Sequence, residues 1–107
     1  MLRRNEKCFY VYIISSLSGT LYVGLTDNLN KRLQEHREGL VDAFTRKCKI
    51  HPLMYYEVFR DAKNADFREK QIKKWRREKK IGLFALSNPK WTDLTETSSW
   101  LNKDFLM

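Results

Sequence analysis

The stretch Phe9-Tyr10-Val11-Tyr12-Ile13-Ile14 and its companion Thr20-Leu21-Tyr22-Val23-Gly24-Leu25 decide the fold of this chain. Both are rich in β-branched and aromatic residues, which is typical of strands. The segment Ser15-Ser16-Leu17-Ser18-Gly19 between them has the composition of a turn. The sequence therefore predicts a β-hairpin. A loop of residues 15–19 would pair Tyr12 directly with Tyr22, on one face of the sheet.

A helix and a third strand are predicted after the hairpin. Asn28 to Glu38 carries apolar residues at helical spacing, follows the N-cap candidates Thr26-Asp27-Asn28 and stops at Gly39. Leu53 to Phe59, after Pro52, is predicted as the third strand. The intervening segment Val41 to Cys48 fits either a short helix or a loop.

A second, longer helix is predicted from about Ala65 to Ile81, after a break at Asp61 to Asn64. Helical spacing places Ala65, Glu69 and Ile72 on its inner face. Pro89 precludes a regular helix further on.

Length and composition predict one soluble domain. The 107 residues are enough for one core and too few for two. The longest apolar run, Phe9 to Ile14, is too short to cross a membrane, and residues 1–7 lack the apolar core of a signal peptide. Cys8 and Cys48 form no CxxC motif, so we expect a cytoplasmic protein with free thiols and no zinc site.

The charge of the chain is strongly positive and unevenly distributed. Twenty-one Lys and Arg against thirteen Asp and Glu give +8. The last sixteen residues hold three acids and one lysine, so residues 1–91 carry +10. Such an excess attracts polyanions, of which nucleic acid is the commonest in a cytosol, although solubility alone is the simpler alternative.

The cations are densest in the second predicted helix. Seven of the eleven residues from 70 to 80 are cationic, with Glu78 the one acid. The seven are Lys70, Lys73, Lys74, Arg76, Arg77, Lys79 and Lys80. We expect them to contact nucleic-acid phosphates, the alternatives being a solvated helix face or a nuclear localisation patch.

Taken in order, these motifs resemble the GIY-YIG nucleases, in particular the small single-domain bacterial members. The two signature triads correspond to Tyr10-Val11-Tyr12, with tyrosine in the glycine place, and Tyr22-Val23-Gly24. Further matches are Asn30 to His36 for the arginine motif, Phe44-Thr45-Arg46-Lys47 for the "FTKK" stretch, Arg68 to Trp75 for the glutamate helix and Asn88-Pro89-Lys90-Trp91 for the closing motif. The resemblance covers roughly residues 8–94.

The resemblance implies an α+β fold, a three-stranded antiparallel sheet flanked by helices. Together with the chain length, it predicts a single domain over residues 1–107 with its core at about 8–94, and residues 95–107 are expected to form a tail or short docked helix. The resemblance also implies hydrolysis of a phosphodiester bond in DNA, with one divalent ion, Mg²⁺ or Mn²⁺, held by a glutamate. Family members include homing endonucleases, restriction enzymes and the incision domain of bacterial nucleotide excision repair, and we expect a role in repair or the processing of branched DNA.

On this resemblance, five residues are the catalytic candidates: Tyr12, Tyr22, Arg32, His36 and Glu69. Glu69 is expected to hold the metal, and a salt bridge to Lys73 at i,i+4 is the alternative. Arg32 offers a fork-shaped cation for the phosphate, and a solvated helix arginine is the alternative.

The tyrosines and the histidine are the candidates for proton transfer. An ordinary phenol has a pKa near 10, and a nearby cation or metal would favour the phenolate. Tyr22 is expected closer to the attacking water than Tyr12, as the family mechanism suggests. His36 is either the general base, a residue that orients the phosphate or Tyr22, or a core histidine.

Lys47, Lys70, Lys73, Lys74, Arg76 and Arg77 are the expected nucleic-acid contacts. Asn88 is a structural residue or a weak active-site candidate. A non-catalytic nucleic-acid-binding module on the same fold is the alternative function, and RNA is the alternative substrate. The apolar residues Trp100 and Phe105 of the tail suit contact with a protein partner or a second copy of the chain.

Overall fold

The computed structural model of the protein describes residues 7–16, 18–38 and 52–96. Within them the fold is α+β, as predicted. Three antiparallel strands, β1 (Phe9–Ser15), β2 (Leu21–Thr26) and β3 (Leu53–Phe59), form a sheet in the order β2-β1-β3. Three helices flank the sheet: α1 (Leu29–Arg37), α2 (Ala62–Lys73) and α3 (Arg77–Phe84). A 3₁₀ turn, Leu94–Glu96, follows.

The hairpin is present, but the predicted pairing is wrong by two residues. Tyr12 lies opposite Gly24, and Tyr22 lies opposite Ile14. The loop comprises residues 16–20 instead of 15–19, because Ser15 still pairs with Leu21. A shift of two keeps every side chain on its face, so Tyr12 and Tyr22 share a face as diagonal neighbours.

Alternation along β1 divides the core between the two faces of the sheet. The even-numbered residues Tyr10, Tyr12 and Ile14 pack with Leu29 and Leu33 of α1. The odd-numbered residues pack against α2 and α3 on the other face, in a cluster formed by Val11, Ile13, Val23, Met54, Ala65, Ile72 and Phe84. The central strand is therefore buried on both sides, which explains its unbroken apolar composition.

Helix α1 begins and ends close to its predicted limits. Asn28 is the N-cap, and its side chain accepts a hydrogen bond from the backbone N–H of Lys31 at 3.1 Å. Leu33 and His36 are both buried on the side of the helix that faces the sheet. This boundary fixes where the arginine and histidine of the helix lie relative to the strands.

The single long helix predicted from Ala65 to Ile81 is wrong, because two helices occupy that stretch. α2 starts earlier, at Ala62, since Asp61 caps it through the N–H groups of Lys63 and Asn64; the predicted break at 61–64 is its first turn. The chain then turns through Lys74 to Arg76 before α3 begins.

Packing favours this turn. The turn redirects α3 so that Phe84 is buried in the core of the α2 and α3 face. Burial of this side chain thus outweighs helix propensity here.

Several predicted features lie outside the described residues. These are Gly39, the segment Val41 to Cys48 with Lys47, and the tail from residue 97 onward, with Trp100 and Phe105. No helix in the part that the structure describes is long and apolar enough to cross a membrane.

Candidate active site

Two tyrosines and a histidine meet on the sheet face that α1 covers. Tyr12 comes from β1, Tyr22 from β2 and His36 from the last turn of α1. The Tyr12 hydroxyl and His36 Nε2 are 2.7 Å apart, a hydrogen bond whose donor depends on the histidine tautomer. The Tyr22 ring stands edge-on to His36 at 4.9 Å and lies 6.4 Å from the Tyr12 ring, centroid to centroid. We call these three residues the aromatic cluster.

The members of the aromatic cluster differ in their access to solvent. Tyr12 is 1% exposed and His36 is 0% exposed, whereas Tyr22 is partly exposed. Tyr22 is therefore the member of the cluster that solvent reaches, whereas Tyr12 and His36 lie beneath the surface.

Gly24 makes room for the Tyr12 ring. A Cβ built on Gly24 would collide with the hydroxyl and the ring of Tyr12. The glycine of the second triad therefore lets the phenol lie flat across β2 and reach His36. The sequence marked Gly24 as a motif residue, but its steric role follows only from the observed register.

Arg32 lies one turn before His36 on α1. Its side chain is 37% exposed, and its Nε is 3.3 Å from a carboxylate oxygen of Glu35. An ion pair this exposed contributes little to stability, so it costs little to exchange for a phosphate. The guanidinium is therefore an accessible cation on the helix that carries His36.

Glu69 lies on α2, the helix on the opposite face of the sheet. Its neighbours on that side of the helix, Ala65 and Ile72, are fully buried, and the Glu69 side chain is only 13% exposed. Lys73 Nζ is 2.9 Å from one of its oxygens, so the salt bridge considered as the alternative is formed. The three residues of the aromatic cluster thus contact one another, whereas Arg32 lies on α1 and Glu69 lies on α2.

Most cations of the 70–80 run are exposed, and some of them form contacts within the described residues. Lys70 is bound to Asp66 at 2.9 Å, and this hydrogen bond raises the pKa of Lys70. Arg77 donates to the Gly19 carbonyl, and its guanidinium lies 5.7 Å from the Trp91 ring centre. Lys74 and Arg76, at the turn between α2 and α3, are exposed.

Asn88 is buried and hydrogen-bonded to backbone. Its amide nitrogen donates to the carbonyls of Met54, at 3.3 Å, and Thr92, at 2.8 Å. Its amide oxygen accepts from the N–H of Thr92 at 2.8 Å. These bonds tie the segment after α3 to β3, which is a structural role.

A polar network joining β3 to α2 had no counterpart in the sequence reasoning. Glu57 accepts two hydrogen bonds from Arg68, at 2.9 and 2.8 Å, and one from the Tyr55 hydroxyl at 2.6 Å. Burial alone would raise the pKa of Glu57, but the bonds from Arg68 and Tyr55 hold that pKa below its usual value. Burial and the bond to Glu57 raise the pKa of Tyr55 to about 12. The sequence indicates only that Tyr55 and Glu57, two residues apart, share a face of β3. Nothing in it indicates that Arg68, the neighbour of Glu69, pairs with them.

The fold and the aromatic cluster together define a nuclease-type domain, in which paired strand tyrosines are followed by a helix arginine and a later helix glutamate. The model of the GIY-YIG catalytic domain matches residues 8–81. The chain belongs to the GIY-YIG family, which is generally a nuclease fold.

Its relatives are UPF0213 proteins, a small family within this group. One from Clostridium perfringens is 38% identical over 76 residues, covering 71% of this chain and 82% of the relative. Another from Syntrophus aciditrophicus is 40% identical over 75 residues, covering 69% and 86%. The solution NMR structure of a UPF0213 protein from Bacillus halodurans has a TM-score of 0.54 and 27% identity, covering 85% of this chain and 97% of that one.

Proposed function

We propose that this protein is a metal-dependent endonuclease that hydrolyses phosphodiester bonds in DNA. The observation that carries the proposal is the aromatic cluster, in which the partly exposed Tyr22 packs on the buried pair Tyr12 and His36. The core of a half-buried sheet does not need buried tyrosines for its stability, because each buried phenol requires a hydrogen-bond partner for its hydroxyl. Arg32, one turn from His36, adds the cation that a phosphate requires.

Cleavage requires a water molecule positioned to attack the phosphate, and it requires neutralisation of the charge on that phosphate. Tyr22 is the group we assign to the attacking water, because it is the exposed member of the cluster. His36, being fully buried, acts through its contacts with Tyr12 and Tyr22 and sets the position of the Tyr22 ring. Arg32 would leave its weak pair with Glu35 and bind the phosphate oxygens as a fork.

Helix geometry supports a place for Glu69 beside these groups. Arg68 points towards β3, where it binds Glu57. Glu69 lies about 100° further round α2 than Arg68, on the side of the helix that carries Ala65 and Ile72. The other edge of the sheet is β2, which carries Tyr22 and contacts α2. We therefore propose that the Glu69 carboxylate faces the edge that bears Tyr22.

The donor set near Glu69 fits Mg²⁺ or Mn²⁺ held by a single carboxylate. The described residues contain no group of three or more His, Cys, Asp or Glu suited to a fully protein-ligated ion. Mg²⁺ commonly keeps several waters and takes one or two carboxylates, so one partly buried oxygen donor suffices. A bound ion would supply charge neutralisation at the phosphate and at the leaving oxygen.

Nicking of supercoiled DNA tests the proposal. The parent, Glu69→Gln and Arg32→Ala are compared with Mg²⁺, with Mn²⁺ and with a chelator. Asp66→Asn is the matched control, because Asp66 pairs with Lys70 at i,i+4 just as Glu69 pairs with Lys73. We expect Glu69→Gln and Arg32→Ala to lose about 10²-fold or more in rate and Asp66→Asn to stay close to the parent. Equal nicking by all variants would show that a contaminant is responsible.

The second candidate is a nucleic-acid-binding module without catalysis. The Glu69–Lys73 ion pair favours it, because the lysine already compensates the carboxylate charge. DNA binding that weakens with salt, without nicking in either metal, would establish this function in place of the first.

A further inference from the structure

The outward face of α2 carries an exposed aromatic ring among lysines. The Phe67 side chain is 69% exposed, although the helix buries Ala65 and Ile72 completely on its inner side. Lys63, Lys70 and Lys74 lie four residues before, three after and seven after Phe67. These spacings put all four residues on one stripe along the helix. We call Lys63, Phe67, Lys70 and Lys74 the outer stripe.

Charge within the outer stripe is partly uncompensated. Lys70 is paired with Asp66, whereas Lys63 and Lys74 are exposed at the two ends of the stripe. A polyanion is therefore the complementary partner. The Phe67 ring narrows the class of polyanion. Phenylalanine has no hydrogen-bonding group, so it can offer a polyanion only the face of its ring for stacking.

Base faces are available only where a nucleic acid is unpaired. Trp75, the other large aromatic at the end of α2, has Arg68 and Lys79 within 5.2 and 4.4 Å of its ring centre and is already in use. We propose that the outer stripe binds a single-stranded segment of nucleic acid, with a base stacked on Phe67 and neighbouring phosphates at Lys63 and Lys74. Aromatic stacking combined with backbone cations is the general chemistry of single-strand binding.

The position of the outer stripe has a consequence for the substrate, and this step rests on the proposed nuclease function. Phe67 and Glu69 are two residues apart, so their side chains leave α2 in directions about 160° apart. A nucleic acid that reached both would present a duplex to the catalytic face and an unpaired arm to the outside of the helix. The substrate class is then DNA with a single-stranded branch.

Binding measured in the absence of cleavage tests the outer stripe separately from the active site. Fluorescence anisotropy of labelled oligonucleotides, in chelator, compares single-stranded DNA, single-stranded RNA and a DNA duplex of equal length on the full chain. Phe67→Ala should weaken single-strand binding by about 5- to 150-fold, the range for loss of one stacked base, and duplex binding by less than about twofold. A preference for single-stranded RNA over single-stranded DNA would contradict the DNA substrate inferred above.

Two substitutions at the same site separate stacking from simple apolar contact. Phe67→Trp should retain or strengthen binding, and Phe67→Leu should behave like Phe67→Ala. Leu86→Ala, at a residue that is 98% exposed, controls for the removal of any surface apolar group. Parental affinity in Phe67→Leu, or an equal loss for duplex and single strand, would overturn the proposal.

The lysines are tested through the salt dependence of single-strand binding. The double variant Lys63→Gln/Lys74→Gln should lower the log–log salt slope by about 1.4, at roughly 0.7 per lost phosphate contact. Lys7→Gln/Lys90→Gln removes the same charge elsewhere and should change it less. Equal slopes for the two double variants would contradict the assignment.

The two proposals fail in different ways. If Phe67→Ala binds single strands like the parent while Glu69→Gln abolishes nicking, the outer stripe is wrong and the nuclease stands. If Phe67 governs single-strand binding while Glu69→Gln nicks like the parent, the reverse holds.

Discussion

At the scale of single residues, the contact between Gly24 and Tyr12 controls the geometry of the aromatic cluster. Adding a Cβ at Gly24 would push the buried Tyr12 ring away and break its bond to His36. We expect Gly24→Ala to lower the free energy of unfolding by about 1–3 kcal/mol, the usual cost of overpacking, and to reduce nicking beyond that loss. Urea denaturation followed by fluorescence measures the first effect.

Gly82→Ala is the matched control for this glycine. Gly82 lies within α3, and a Cβ there meets nothing within 4 Å. An alanine in an open helical position should stabilise the protein by about 0.5–1 kcal/mol. If both alanine variants shifted stability in the same direction, steric contact with Tyr12 would not explain Gly24.

The two cluster tyrosines should respond differently to loss of the hydroxyl. Tyr12→Phe removes a buried 2.7 Å hydrogen bond, so it should cost about 1–3 kcal/mol of stability. Tyr22→Phe changes a partly exposed residue, so it should leave stability nearly unchanged and lower the nicking rate by about 10²-fold. Denaturation and rate measurements on the same preparations distinguish the two. Identical profiles for the two variants would argue against a division of roles.

At the scale of elements, the network of Tyr55, Glu57 and Arg68 fastens α2 to β3 and makes stability depend on pH. The pKa of Glu57 is lower in the folded protein than its ordinary value of 4.5. Its contribution is therefore present above about pH 4.5 and is lost as the pH falls through the folded value. We expect Glu57→Gln to be less stable than the parent at pH 7 and to lose less stability on acidification.

Denaturation midpoints between pH 7 and pH 3 measure this effect. Glu78→Gln, an exposed substitution on α3, removes the same charge and serves as the reference. A Glu57→Gln curve parallel to that of the parent would show that the network contributes nothing to acid sensitivity.

The strands and α1 could be predicted because local signals and packing agree there. β-branched and aromatic composition and the Asn28 cap specify β1, β2 and α1 without distant contacts. The hairpin register could not be fixed in this way, since shifts of two residues preserve the face of every side chain. The turn at Trp75 escaped prediction for another reason: no glycine or proline marks it, and burial of Phe84 decides it.

At the scale of the whole molecule, the sheet separates the candidate groups onto two layers. The aromatic cluster and Arg32 belong to the α1 layer, and Glu69 belongs to the α2 layer. All of these residues could be predicted from the resemblance to a family. Their spacing along the sequence, however, carries no information on how the two layers meet at an edge of the sheet. The edge position of β2 is a three-dimensional fact, and so is the place of Glu69 on the α2 layer.

We propose that Glu69, Tyr22 and Arg32 converge on one phosphate beside the β2 edge. Paramagnetic broadening by Mn²⁺ tests this directly, because an ion held by Glu69 broadens the NMR signals of residues close to it, whatever their place in the sequence. We expect low Mn²⁺ to broaden the amide signals of Tyr22 and Arg32 together with those around Glu69, and we expect Glu69→Gln, but not Asp66→Asn, to abolish the effect. Broadening confined to α2, or unchanged in Glu69→Gln, would contradict it.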